Sequence, residues 1–250
     1  MTSTILKTSL RLPRIIPRLD IKGENVVKGI CFEGLRVVGK PEDLARKYAE
    51  DADELLYIDT VASLYGRNQL TELLRRTTDD TFIPITVGGG INGKEDARML
   101  FEAGADKVAI NTAAIRRPSL IDELASFYGS QAIVVSIQAK RTEGGWEAYC
   151  EGGREKTGRD AVEWALEAAR RGAGELLLTS VDQDGTRKGF DCRLLEAVSD
   201  RVSVPVVLSG GMGQISHLDG VDKAHGLSMA SVLHYGTLTI PEIRQALGQT

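Results

Sequence analysis

Eight short apolar runs recur along this chain of 250 residues, each followed by a stretch that begins a helix or a turn. They are RIIPRLD (14–20), DELLYID (53–59), IPITV (83–87), DKVAIN (106–111), AIVVSIQ (132–138), ELLLTSV (175–181), VPVVLS (204–209) and LSMAS (227–231). Several are apolar at consecutive positions, which suits parallel strands covered on both faces. Between them, PEDLARKYAED (41–51), KEDARMLFEAG (94–104) and TGRDAVEWALEAARRG (157–172) carry amphipathic helical spacing. Pro41 stands at a helix start, and Gly104 and Gly172 stand where helices end. Eight such pairs with no linker or composition shift predict an α/β fold, a (β/α)8 TIM barrel over residues 1–250 as a single domain. The alternative is an open doubly wound sheet, against which stands the lack of a GxGxxG after the first strand.

The two halves of the chain echo each other at an offset of about 120 residues. TVGGGI (86–91) is matched by LSGGMG (208–213), and NTAAI (111–115) by ASVLHY (230–235). Asp20, ending the first strand, is matched by Gln138, ending the fifth. The pattern predicts a two-fold half-barrel repeat. Glycines after a barrel strand let backbone N–H groups converge on an anion with no Cβ in the way. Gly90, Asn111 and Thr112 then belong to one phosphate site, and Gly210, Gly211 and Ser231 to another across the same mouth. The expected ligand is long, with a phosphate at each end.

Charge and cysteine usage narrow the classes further. A net charge of −4 gives no basic face for nucleic acid. Cys31, Cys150 and Cys192 are widely spaced, which points to reduced thiols and a cytoplasmic protein rather than a disulfide framework. Neither these nor His217, His225 and His234 fall in metal-ligand spacing, so no metal and no cofactor is expected. No apolar run approaches the roughly 18 residues of a membrane span. Residues 1–13, basic and rich in Ser and Thr, read as a short leader into the fold.

With these residues placed, the chain resembles the cyclase subunit of imidazole glycerol phosphate synthase, of histidine biosynthesis. The resembling stretches are LDIKGENVVKG (19–29), ELLYIDTVAS (54–63), IPITVGGGI (83–91), GADKVAINTAA (104–114), GGWEAY (144–149), GAGELLLTSVDQDGT (172–186), VPVVLSGG (204–211) and ASVLHYG (230–236). The resemblance implies an ammonia-dependent lyase. It closes a doubly phosphorylated ribulosyl-formimino aminoimidazole ribotide into imidazole glycerol phosphate, releasing an aminoimidazole carboxamide ribotide. A separate glutaminase subunit supplies the ammonia through the barrel core. Two facing aspartates act as general acid and base. The first carries over to Asp20, and the second position holds Gln138, which can orient a group but cannot take up a proton. Lys28 falls on the loop expected to close over substrate; Asp59, Thr179, Asp182, Asp184 and Gly185 line the mouth.

On the opposite face, the resemblance makes Arg14, Glu54, Lys107 and Glu175 a ring of charges around the ammonia entrance. It places the docked glutaminase near Pro84 and Asp106. Two other readings use the same scaffold: a paralogue that aminates another substrate, such as a nucleotide-linked sugar in surface polysaccharide synthesis, and a catalytically weak subunit that regulates its glutaminase. His234, among apolar neighbours, reads as packing; Cys31 and Cys150 read as bystanders; Trp146 and Trp164 read as core or partly buried.

Overall fold

The computed structural model describes residues 12–60, 68–78 and 81–249. Most of the leader, and the end of the 54–63 motif, lie outside the described residues. Eight parallel strands close on themselves: β1 (Arg14–Lys22), β4 (Leu55–Asp59), β5 (Ile85–Gly88), β6 (Lys107–Ile110), β7 (Ile133–Thr142), β10 (Glu175–Ser180), β11 (Val206–Ser209) and β12 (Gly226–Met229). The closing pair is β12 with β1, in register at Arg14 and Gly226. Each predicted apolar run supplies one barrel strand, because consecutive apolar residues suit a strand with helices outside and side chains inside. Closure leaves the parallel sheet without an open edge, which the doubly wound alternative would have kept.

The remaining four strands form two antiparallel hairpins, and here the structure departs from the expected loops. β2 (Asn25–Ile30) and β3 (Glu33–Gly39) follow β1, and β8 (Gly145–Cys150) and β9 (Glu155–Asp160) follow β7. The half-barrel repeat therefore extends beyond the glycine turns: each half opens with a barrel strand that runs on into a hairpin. Lys28 lies on β2 and not on an irregular loop. The predicted helix over 157–172 starts at Ala161, since residues 157–160 are spent on β9. Asp160 marks the change, its carboxylate accepting from the backbone N–H groups of Val162 and Glu163. Gly104 and Gly172 follow their helices with φ of 107° and 104°, the positive region glycine occupies without steric cost.

Strand alternation sorts the barrel interior into layers. The charged residues Arg14, Lys107 and Glu175 open their strands, with Glu54 immediately before β4. Two residues further along the same strands come Ile16, Leu56, Ala109 and Leu177, which pack with Val134 and Val207 as an apolar plug of their own. The larger core lies between barrel and helices, with Trp164, Tyr57, Leu19 and Leu120 among its fully buried side chains. Among the described residues no helix is long and apolar enough to cross a membrane.

Candidate active site

Above the apolar plug the interior turns polar. Arg18 and Asp20 follow Ile16 at alternate positions on β1, so both point inward, one layer apart. They are 4% and 3% exposed. Arg18 Nε donates to Asp20 Oδ1 at 2.8 Å. Lys28, reaching in from its hairpin, donates to Asp20 Oδ2 at 3.3 Å and to Asp184 Oδ2 at 2.7 Å. The cluster holds two cations and two carboxylates, which is how charges survive burial. Burial pushes the Asp20 carboxyl up, but the charges and hydrogen bonds of Arg18 and Lys28 outweigh it and hold it below the ordinary carboxylate range. The cluster as it stands favours the ionised form of Asp20.

The first hairpin docks over this cluster. Cys31 N–H donates to Asp184 O at 2.8 Å, and a Cβ on Gly185 would strike the backbone of Gly29. Its tip turns through Cys31 and Phe32, with φ of 50° and 64°. Two non-glycine residues in the left-handed region store strain, and such strain persists where surrounding contacts enforce it. Here the enforcing contacts are visible. The Phe32 ring lies 5.4 Å from the Arg18 guanidinium and 5.9 Å from Lys28 Nζ, and fits into space that only a glycine at 153 leaves open.

Gln138 lies on the interior face of β7, in register with Thr179 of β10. Gln138 Oε1 and Thr179 Oγ1 are both buried with no hydrogen-bond partner, as is the Ser228 hydroxyl. Buried polar atoms are rarely left so, and a cluster of them around a barrel mouth marks where a polar ligand completes the bonding. The glycine turn after β11 forms one wall of a narrow cleft, with Arg18, Lys28, Asp184, Gly185, Ser228 and Ser231 among the other lining residues. Gly210 and Gly211 have φ of 93° and 113°, and a Cβ on Gly211 would collide with the carbonyl of Gly189.

The other half-site is built differently in detail. Gly90 has a φ of 67°, as the repeat requires, but Asn111 and Thr112 serve the second hairpin. Asn111 Nδ2 donates to the carbonyls of Ser136 and Tyr149 at 2.8 and 3.2 Å, and Thr112 Oγ1 accepts from Glu151 N–H at 3.1 Å. Asp59 lies apart from the buried cluster, against Gly89 and Ile91. Asp182 is exposed and accepts from the Arg141 N–H at 2.8 Å, fixing the end of β7. The aspartate that reaches the centre is Asp184.

At the far end of the barrel the four charged residues do meet. Arg14 pairs with both Glu54 and Glu175, and Lys107 Nζ lies 3.0 Å from Glu54 and 2.9 Å from Glu175. Thr86 donates a further hydrogen bond to Glu54. Pro84 and Asp106 lie exposed on this face, beside Phe82 at 94% exposure. One Asp106 oxygen is occupied by the Ile85 N–H at 2.8 Å.

A family model described as histidine biosynthesis protein matches residues 14–239. The chain belongs to this family. Among its relatives is the imidazole glycerol phosphate synthase subunit HisF of Legionella pneumophila, 57% identical over 208 residues that cover 82% of this chain and 98% of that protein. The family's frame accounts for the side chains a motif can find: Asp20, Lys28, the glycine turns and the ring. Motif matching passes over Arg18 and Phe32. For Arg18 a signal existed, an arginine inside an apolar strand two positions before Asp20 and therefore on the same face. For Phe32 none did, because its place depends on how the hairpin folds back.

Burial raises the thiols of Cys31, Cys150 and Cys192, the opposite of activation. Trp146 donates to Asp191 at 3.0 Å, and Trp164 is 1% exposed. His234 bridges Tyr48 Oη at 2.8 Å and the Arg18 carbonyl at 3.1 Å, and burial pushes its pKa down to about 4. A histidine kept neutral this way favours the fold fully above its ordinary pKa of about 6.5, and that contribution is lost as pH falls toward 4. Urea midpoints between pH 7 and pH 4 are expected to drop by the equivalent of roughly 3 kcal/mol from this group. In His234→Gln that drop should largely vanish.

Proposed function

We propose that this chain is the cyclase subunit of imidazole glycerol phosphate synthase. In this reading it uses ammonia to convert the doubly phosphorylated ribulosyl-formimino ribotide into imidazole glycerol phosphate and the carboxamide ribotide of histidine biosynthesis. The observation that carries the reading is the order of three layers along one barrel axis. A closed ring of four charges lies at one end, an apolar layer follows, and a buried carboxylate–ammonium cluster lies beneath the cleft at the other. Neutral ammonia can cross an apolar layer that strongly disfavours an ammonium ion. Family membership and the name of the Legionella relative agree with it.

In this reading the chain has a partner, and its residues have distinct roles. A glutaminase subunit docks on the face that carries Arg14, Pro84, Asp106 and Phe82, and delivers ammonia at the ring. The two glycine turns hold the phosphates of the ribotide across the mouth. Asp20, ionised, accepts a proton, and Lys28, placed between Asp20 and Asp184, is the neighbouring group that can give one up, which the Arg18 guanidinium does not. Gln138 orients the substrate by hydrogen bonding and supports turnover without titrating. The test is whether the purified chain, given an ammonium salt and no partner, converts the ribotide. No conversion under saturating ammonium would end this reading and leave amination of a different substrate on the same frame.

Gln138 offers a second check. Gln138→Asp restores a carboxylate to the second family position, and cyclase turnover should rise or stay unchanged. Steady-state kinetics would reveal it. A large fall in kcat would mean that the amide is fitted to another reaction.

A further inference from the structure

Arg18 has a capacity that pairing with Asp20 leaves unused. It is 4% exposed, yet only Nε donates to the protein, at 2.8 Å from Asp20 Oδ1. A guanidinium carries five N–H donors, and no described residue accepts from those on Nη1 or Nη2. The same side chain lines the cleft with Gly210, Gly211 and Ser228. Ser228 is 1% exposed, and its hydroxyl also lacks a partner. A buried hydroxyl without a partner and guanidinium Nη donors with no protein acceptor, beside a glycine turn that exposes backbone, suit an oxyanion. Phe32 covers the guanidinium from the hairpin side, and Asp20 holds its Nε edge, so the Nη groups are already oriented.

We infer that Arg18 determines which charged group the Gly210–Gly211 turn accepts, its Nη atoms and Ser228 Oγ taking the oxygens of a dianionic phosphate monoester. Planar guanidinium donors fit two oxygens of one phosphate, which a lysine ammonium does not match. Asp20 then has a positioning duty besides its chemical one. The inference rests on reading that turn as a phosphate site and deepens it: the turn alone would accept many anions, whereas the fork selects a tetrahedral dianion.

Inorganic phosphate and selenate test this without the ribotide. In wild-type crystals soaked with selenate, an ion is expected at the Gly210–Gly211 turn within hydrogen-bond reach of Arg18 Nη and Ser228 Oγ. By calorimetry, Arg18→Met combined with Asp20→Asn, which removes both charges so that neither is stranded, should weaken phosphate binding at this site about ten- to a hundredfold. Arg18→Lys keeps the charge and loses the fork, so it should weaken binding about three- to tenfold and decides the matter if the double variant does not fold. Wild-type phosphate affinity in Arg18→Lys and in any folded double variant would overturn the inference, as would selenate at the turn out of reach of the guanidinium. The cyclase reading fails separately. An inactive wild-type chain whose phosphate binding still depends on Arg18 would sink the reaction and keep the subsite.

Discussion

Asp20→Asn is expected to abolish ammonia-dependent turnover, with kcat falling about 10²–10⁴-fold. The substitution keeps the shape of the side chain and removes its charge. Asparagine cannot accept a proton, and that removes the proton-transfer step assigned to Asp20. It also weakens the hold on Lys28, which would be left with Asp184 as its charged partner. Because a buried pair is broken, some stability should go as well, and a urea melt of the variant separates unfolding from lost chemistry. Ribotide affinity measured by equilibrium binding should fall less than kcat, since the glycine turns still hold the phosphates although Arg18 loses the carboxylate on its Nε edge. A variant with wild-type kcat would show that the carboxylate transfers no proton.

The second large effect lies at the other end of the barrel. Glu54→Gln should destabilise the protein by about 3–5 kcal/mol, the usual result of removing one partner from a buried charge cluster. Glu54 is 3% exposed and accepts from Arg14, Lys107 and Thr86. Without its charge, Arg14 and Lys107 share Glu175 alone, and one positive charge is uncompensated inside the barrel. Glu54→Gln combined with Lys107→Met restores the balance and should recover part of the loss. Denaturant titration of the single and double variants gives both numbers. A loss in the single variant below about 1 kcal/mol would mean that the ring is solvated like an exposed pair. Turnover with a free ammonium salt should survive in the folded fraction, since ammonia can also enter from the mouth, whereas coupling to a glutaminase should not.

Some of this was written along the chain. Eight apolar runs with interleaved helical spacing suffice to predict a closed barrel, because local periodicity decides which residues can be strand and which helix. The glycine turns and Asp20 stand at strand ends, where alternation alone tells which way a side chain faces. The ring of charges is legible for the same reason, as residues at the starts of strands that the barrel brings together.

What the chain order leaves open are contacts between segments far apart in it. Lys28 is 156 residues from Asp184, and nothing local says that β2 folds back as a hairpin to carry it there. Asn111 and Thr112 sit at a predicted ligand turn, yet their side chains are taken by the second hairpin. Asp182 and Asp184 are near neighbours in sequence, but one is exposed and the other 4% exposed against Lys28. Arg18 is the sharpest case. Its position on β1 shows that it faces inward, and only barrel closure, bringing β12 alongside β1, sets it beside Ser228. Periodicity depends on bonded neighbours and can be read in one dimension. The pairing of buried charges, and the donors they leave unpaired, depend on which strands closure makes adjacent, and that exists only in three.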